Sequence, residues 1–568
     1  LLFEELRKSR VLCLIAATSF IFVSLTIFWN FQYMGLSHWD EYYFVGTAAW
    51  NLRVDWGFFQ AYDPPLFPLL LSLMFRVFGF YDYVAVAASE LMAMFVCALC
   101  FFWAKREFGF ATAIVTVLIL ATTSLFILFA KMALSDMTFV FFFSAAIFGY
   151  LSALRRKNNW IFLGAGILLS CALAVKYNGF QPLLIILIFI PVLCLPTLAP
   201  KTSVRKRLGV YVRQVFGFLA GICVSLISVG LFSILFASYL GNPFPPMSQP
   251  FTALTTNFLE RVVDGLAYFM VSVYQNKAGA FNLQFLVEAG FYSQVLMDFV
   301  GLPTVVFAMI GAVRGILKRN TTSVLLVIWG VVVFTFFSSL SGAWPRVILP
   351  LIVPLAILAA EGILSCSAAL AYLLRAISLV SPSRRRLGVA LQVFLILGVV
   401  LMNLYSAIPA ITDQHSAYRE AVDIISQFVP MGMWIWVKTQ PLILVYLLDR
   451  GFTVTQGNMA LLNLSRVIVL DFTAKSSPDY PKIQLRISKM TLAAQIPNHV
   501  LINMLDSTNF TELEKWEADP DRMNVQVYVG PPLLAGTPPS APSFSVTQPV
   551  WVLVIAKQDQ RRQAWTSN

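Results

Sequence analysis

An aspartate and a glutamate stand side by side in the segment SHWDEYYFVG, as Asp40 and Glu41, about ten residues beyond a strongly apolar run. Acidic side chains at the start of a helix can simply cap it, accepting from free backbone N–H groups and complementing the dipole. They can also do chemistry. A carboxylate partly desolvated beside Trp39, Tyr42 and Tyr43 has a raised proton affinity and can take a proton from a hydroxyl as a general base. Asp136, in KMALSDM, has the same two readings: with Ser135 it precedes an apolar run and can cap it, and it can also orient a reacting group. Asp63 precedes Pro64, a common turn start.

Three isolated cations sit beside apolar runs: Lys131 in the same KMALSDM segment, Lys176 in LAVKYNG and Arg346 in AWPRVILP. Ammonium and guanidinium groups stabilise a phosphate that gains negative charge as a bond to it breaks. The alternative is snorkelling to lipid headgroups. The three histidines, His38, His415 and His499, are too scattered for a metal cage, and His38 with Asp40 and Glu41 lacks further ligands. No metal or other cofactor is expected. The seven cysteines lie in or beside apolar runs without metal-ligand spacing, so no disulfide framework is implied.

The elements that must position these residues are membrane spans. Of 568 residues, 58% are hydrophobic and 12% charged, far from the balance of soluble domains. The net charge of +12 falls in short clusters between apolar runs, which excludes a nucleic-acid surface and suits topology signals. A bilayer core asks for about 20 apolar residues per helix. Eleven such runs are read at 11–30, 83–104, 111–130, 137–154, 160–176, 179–196, 213–238, 296–316, 322–340, 346–365 and 387–408. The first is too long for a signal-peptide core and is expected to be retained. Basic clusters such as Lys105 with Arg106, Arg155 to Lys157, Lys318 with Arg319 and Arg384 to Arg386 mark alternate loops. They place the N-terminus in the cytoplasm and the C-terminus outside.

The chain is therefore expected to be a polytopic α-helical membrane protein, with residues 1–410 as the membrane domain and 411–568 as an extracytoplasmic α/β domain. Residues 31–82 form a first outer loop with two amphipathic helices, broken at Pro64 and Pro65, and residues 239–295 form a second outer loop. In the C-terminal region WIWV, RVIVL, VQVYV and WVLVIA read as strands. Asn463 and Asn509 open short sequons on the outer side.

Five features in this order resemble one family. They are the acidic pair Asp40 and Glu41; Pro64, Pro65 and Leu66 ahead of a short apolar helix; Ser135 and Asp136 opening a span; a small-residue-rich span ending in Lys176; and Pro345, Arg346, Pro350 and Pro354 starting a late span. Together they resemble the protein O-mannosyltransferase and aminoarabinose transferase branch of the C-type (GT-C) membrane glycosyltransferases, over roughly residues 10–365. The resemblance implies inverting transfer from a polyprenyl-phosphate sugar to a hydroxyl on a lipid, glycan or protein. Asp40 would be the base, Glu41 and Asp136 would orient acceptor or base, and Lys131, Lys176 and Arg346 would hold the lipid phosphate. Expected partners are the donor lipid, the acceptor and membrane lipids, without nucleic acid, and the expected location is the plasma membrane. Two other classes remain open: a lipid or sugar transporter, for which Glu90, Asp298 and Glu361 are the intramembrane candidates, and a non-catalytic subunit of a membrane complex.

Overall fold

The computed structural model of the chain describes residues 2–36, 39–52, 54, 64–156, 158–193, 283–339, 345–376, 384–412 and 417–428, the strands of a C-terminal sheet with residues 447 and 482–484, and isolated positions between 209 and 223. The chain divides into two compact units. One comprises Leu1–Gln32, Ala61–Gln414 and Ser507–Asn509, the other Tyr33–Gln60, His415–Asp506 and Phe510–Asn568. Along the sequence the helices are α1 (Leu2–Phe28), α2 (Phe31–Met34), α3 (Trp39–Asn51), α4 (Leu66–Phe78), α5 (Asp82–Glu107), α6 (Phe110–Thr122), α7 (Ser124–Ala130), α8 (Asp136–Arg156), α9 (Asn159–Val175), α10 (Gln181–Leu193), α11 (Leu283–Val295), α12 (Leu302–Leu317), α13 (Thr321–Ser338), α14 (Leu349–Ala376), α15 (Arg384–Thr412) and α16 (Ala417–Phe428).

The first unit is a bundle of apolar helices. Among the described residues seven are long and apolar enough to cross a bilayer, and eight if the bent pair α6–α7 is one span. Their polarity is set locally. Asp82 and Asp136 lie in the first turns of α5 and α8, and Lys105, Arg106, Arg155 and Arg156 in the last, each charge opposing the helix dipole beside it. Asn158 caps α9 by accepting from the N–H of Trp160, and Asn320 caps α13 through Thr322 and Ser323. α1 leaves Leu14, Ile21 and Leu25 exposed and buries Val23 and Ile27, as a helix with one face to lipid does.

Several limits differ from those read along the sequence. The run at 111–130 is two helices bent by 66°, because Thr122 and Thr123 turn their hydroxyls back onto the carbonyls of Leu118 and Ile119 and compete with the helical ladder. The run at 160–176 gives α9 within one residue of its expected limits, whereas that at 179–196 gives the shorter α10, the two separated by a one-turn 3-10 helix, Tyr177–Phe180. The helix expected from residue 296 starts at Leu283, inside the segment read as outer loop, and passes through a π-helical turn, Leu296–Gly301, into α12. Gly301, at φ 91°, permits the break. The run at 213–238 lies largely outside the described residues.

At one end of the bundle Glu107 ties α5 to α8 and α13. It pairs with Arg155 and accepts from the Thr322 hydroxyl at 3.1 Å, while Arg155 also donates to Thr322. α12 and α14 cross at two glycines: a Cβ on Gly311 would lie 2.0 Å from the Leu358 carbonyl oxygen, and one on Gly362 would lie 1.9 Å from that of Phe307.

In the second unit α16 buries Tyr418, Ala421, Val422 and Ile425, a stripe at helical spacing. A five-stranded mixed sheet follows in the order β2-β1-β3-β5-β4, from β1 (Trp434–Lys438), β2 (Thr453–Gln456), β3 (Val467–Leu470), β4 (Thr491–Pro497) and β5 (Asn524–Val529). β1 runs parallel to β2 and β3, and β5 antiparallel to β3 and β4. β1, β3 and β5 fall on expected strands; the WVLVIA segment lies outside the described residues. α3 groups with this unit.

Candidate active site

Asp136 opens α8 and is buried, 2% exposed. Its Oδ1 accepts from Nζ of Lys176 at 2.5 Å, and its Oδ2 has no hydrogen-bond partner. Lys176 caps the C-terminus of α9 in an extended conformation, φ −150° and ψ 139°, which stops the helix and sends the chain into the 3-10 turn. Its ammonium also lies 5.8 Å from the centre of the Phe139 ring, one helical turn from Asp136. Gly179 lets this turn fold back on α9, since a Cβ there would meet the Ala172 carbonyl carbon and the Leu173 nitrogen at 2.5 Å.

Lys131 stands at the end of α7, 1% exposed, and donates from Nζ to the carbonyl of Trp29 at 2.5 Å. An ammonium satisfying a carbonyl just past a helix end is a C-terminal cap, here joining α1 to the turn before α8. The carboxylate of Glu90, buried in α5, acts on it electrostatically, and neither oxygen of Glu90 has a hydrogen-bond partner. The neighbouring Ser89 donates to the Leu134 carbonyl at 3.0 Å, so α5 holds the 131–135 turn at two adjacent positions. Snorkelling requires an ammonium in the headgroup region. Lys131 is enclosed by protein and Lys176 keeps 21% of its side chain exposed.

Arg346 lies half-buried in the one-turn helix Pro345–Ile348 that leads into α14. Glu361, further along α14, accepts from the Thr112 hydroxyl at 2.7 Å, and Asp298 sits in the π-helical turn. Asp40 and Glu41 occupy the first turn of α3 in the second unit, with Glu41 fully buried. Next to them, burial and then the neighbouring Tyr43 push the Tyr42 hydroxyl up to about 12. Tyr42 and Tyr43 meet edge to face at 5.5 Å. Asp63, His38, His415 and His499 lie outside the described residues.

The structure thus joins Asp136 to Lys176 and couples Lys131 to Glu90, a residue read from the sequence only as a transport candidate. It also adds two amides that sequence reasoning missed. Asn178 and Gln181 are buried next to Lys176, and Asn178 Oδ1 and both polar atoms of Gln181 lack partners. Their signal was visible in KYNGFQPLLII, where two amides interrupt an otherwise apolar stretch.

Residues 62–227, which include Ser135, Asp136 and Lys176, match the family model of dolichyl-phosphate-mannose-protein mannosyltransferases. No curated protein matches the chain. Among solved structures, ArnT from Cupriavidus metallidurans bound to undecaprenyl phosphate is 14% identical with a TM-score of 0.53, over 92% of this chain and 99% of that one. The archaeal oligosaccharyltransferase of Archaeoglobus fulgidus is similar in two states. In its apo form it is 12% identical with a TM-score of 0.54, over 84% of this chain and 71% of that one. As AglB with an inhibitory peptide and a dolichol-phosphate it is 11% identical with a TM-score of 0.50, over 85% and 72%. The fold is that of ArnT and of the archaeal oligosaccharyltransferase, in line with the resemblance read from the sequence.

Proposed function

We propose that this chain, carrying that fold, is an inverting glycosyltransferase that moves a sugar from a polyprenyl-phosphate donor to a hydroxyl on a lipid, glycan or protein at the outer face of a membrane. The observation that carries the reading is the Asp136–Lys176 pair, buried at the head of a helix within the segment matched by the mannosyltransferase model. The N-terminus is assigned to the cytoplasm and the C-terminal unit to the outside. The donor's chain then stays in hydrocarbon while its phosphate reaches the cations. Lys176 and Arg346 are assigned to the phosphate, and Lys131, enclosed against Trp29, contributes to the positive field behind it.

In the chemical step the acceptor oxygen bonds to the anomeric carbon. The bond from that carbon to the phosphate oxygen breaks, and its electron pair leaves on the phosphate. The acceptor proton passes to the carboxylate of Asp40, the base that the sequence resemblance implies, with Glu41 beside it orienting the acceptor. Attack opposite the leaving group inverts the anomeric centre. The test is release of polyprenyl phosphate when purified protein meets labelled polyprenyl-phosphate sugars and a membrane acceptor extract. Release by wild type and not by Asp40→Asn is expected; equal release by the variant sinks the assignment of the base, and no release with any donor sinks the transferase reading.

Glu90 favours a second reading, passage of a lipid-linked sugar across the bilayer, because a carboxylate buried inside a span is unusual unless it serves a pathway. Proteoliposomes separate the two: movement of a labelled donor between leaflets without release of its phosphate supports transport.

A further inference from the structure

The polar atoms beside Lys176 have a composition that the lipid phosphate does not explain. Three of those without a hydrogen-bond partner are acceptors: Asp136 Oδ2, Asn178 Oδ1 and Gln181 Oε1. The fourth, Gln181 Nε2, is a donor. All belong to side chains at least nine-tenths buried. Buried polar groups are as a rule satisfied, and each that is not costs the protein free energy. Asn178 and Gln181 are three positions apart across the 3-10 turn, a spacing that sets side chains one above the other. The Asp136–Lys176 pair stands immediately before that turn in the first unit.

The chemistry of the missing partner follows from this set. An ionised phosphate has only acceptor oxygens and cannot serve three acceptors. A metal ion could, but the ammonium of Lys176 at 2.5 Å on the same carboxylate repels it. Hydroxyl groups, each able to donate and accept, serve three acceptors and one donor together, and a sugar ring carries several of them on one ligand.

We infer that Asn178, Gln181 and the open oxygen of Asp136 form the subsite for the donor's sugar ring, and that these amides determine which sugar is taken. The inference rests on the transferase reading and names the part of the donor that this site holds. The sugar is tethered to the phosphate at Lys176, so a turn that ends α9 with the cation and continues with the amides serves adjacent parts of one ligand.

The experiment measures binding of undecaprenyl phosphate, bare and carrying mannose, glucose or aminoarabinose, to the full chain in nanodiscs, for wild type, Gln181→Met and Asn178→Leu. Wild type is expected to bind at least one sugar-bearing lipid more tightly than the bare lipid. Each variant should bind the bare lipid as wild type does and lose about tenfold in affinity for that sugar-bearing lipid, one lost hydrogen bond with its partner left unsatisfied. The unfolding temperature of the lipid-free protein is a second readout. Gln181→Met should keep or raise it, because an apolar side chain of similar size replaces an amide without partners. Affinities unchanged in both variants would mean that the amides hold only ordered water, overturning the inference. So would equal losses for bare and sugar-bearing lipid, or an unfolding temperature that falls in both variants, each of which marks a structural role. Wild type that binds bare lipid but gains nothing from any sugar overturns the inference alone, whereas wild type that binds none of the four lipids overturns the transferase reading with it.

Discussion

Lys176 reaches back forty positions to Asp136 and closes an ion pair of 2.5 Å between the end of α9 and the start of α8. The carboxylate is almost wholly enclosed, and that ammonium is the cation that compensates it. Removing one partner of a buried pair leaves an uncompensated charge and costs about 3–5 kcal/mol, whereas removing both costs far less. Lys176→Met should therefore lower the unfolding temperature sharply, and adding Asp136→Asn should restore most of the loss. A double variant no more stable than Lys176→Met would mean that the two groups are not coupled.

Gly179 gives a sharper lever on the same turn. Its Cβ would strike backbone of α9 at 2.5 Å, and backbone cannot rotate away, so Gly179→Ala should displace the chain between Lys176 and Gln181. Overpacking of this kind costs about 1–3 kcal/mol. A larger fall in donor affinity than in stability is expected, measured by lipid binding alongside thermal unfolding. Wild-type donor affinity would show that the turn does not position the site.

The α12–α14 crossing admits no side chain at Gly311 or Gly362, and α14 follows directly on the turn that carries Arg346. Gly311→Ala should destabilise the protein. Gly398→Ala, in α15 with open space around the added carbon, should leave stability unchanged or raise it by about 0.5–1 kcal/mol through helix propensity. If the two alanines behave alike, the close crossing is not a feature of the protein in lipid.

Tyr42 makes a pH-dependent prediction. Its hydroxyl titrates near 12 in the folded protein, against an ordinary value of 10.0. Between those values the unfolded chain has released a proton that the folded protein retains, so stability falls as pH rises through this window and is unaffected below it. Tyr42→Phe should flatten that part of the profile in a denaturation series. An unchanged slope would show that Tyr42 ionises in the folded protein at the ordinary value.

Charges were the most legible part of the sequence, because a charged residue beside an apolar run demands a partner or a function. That singled out Asp136, Lys131, Lys176 and Arg346, and the clusters at Lys105–Arg106 and Arg155–Arg156 do end helices. The partners were less legible. The bond from Lys131 ends on a backbone carbonyl at Trp29, and a carbonyl has no letter in the sequence. Hydrophobic periodicity likewise hides breaks inside a continuous apolar run, as at Thr123. It also misses a helix such as α11, whose sequence LQFLVEAGFYSQV carries Glu288 and two glutamines. β2 and β4, TVTQ and TLAAQIP, went unread because they lack the apolar runs that marked β1, β3 and β5.

The bend at Thr123 separates two kinds of helix. α6 keeps residues at intermediate exposure or above, but every residue of α7 from Ser124 to Ala130 is buried, enclosed by α5, α8, α15 and the π-helical turn. A photoreactive probe dissolved among acyl chains would mark α1 and α15 and pass over α7. This seven-residue segment, as apolar as its neighbours, has protein rather than lipid as its solvent. A bulkier residue there cannot push outward into fluid hydrocarbon, and must instead shift Lys131 at the helix's end.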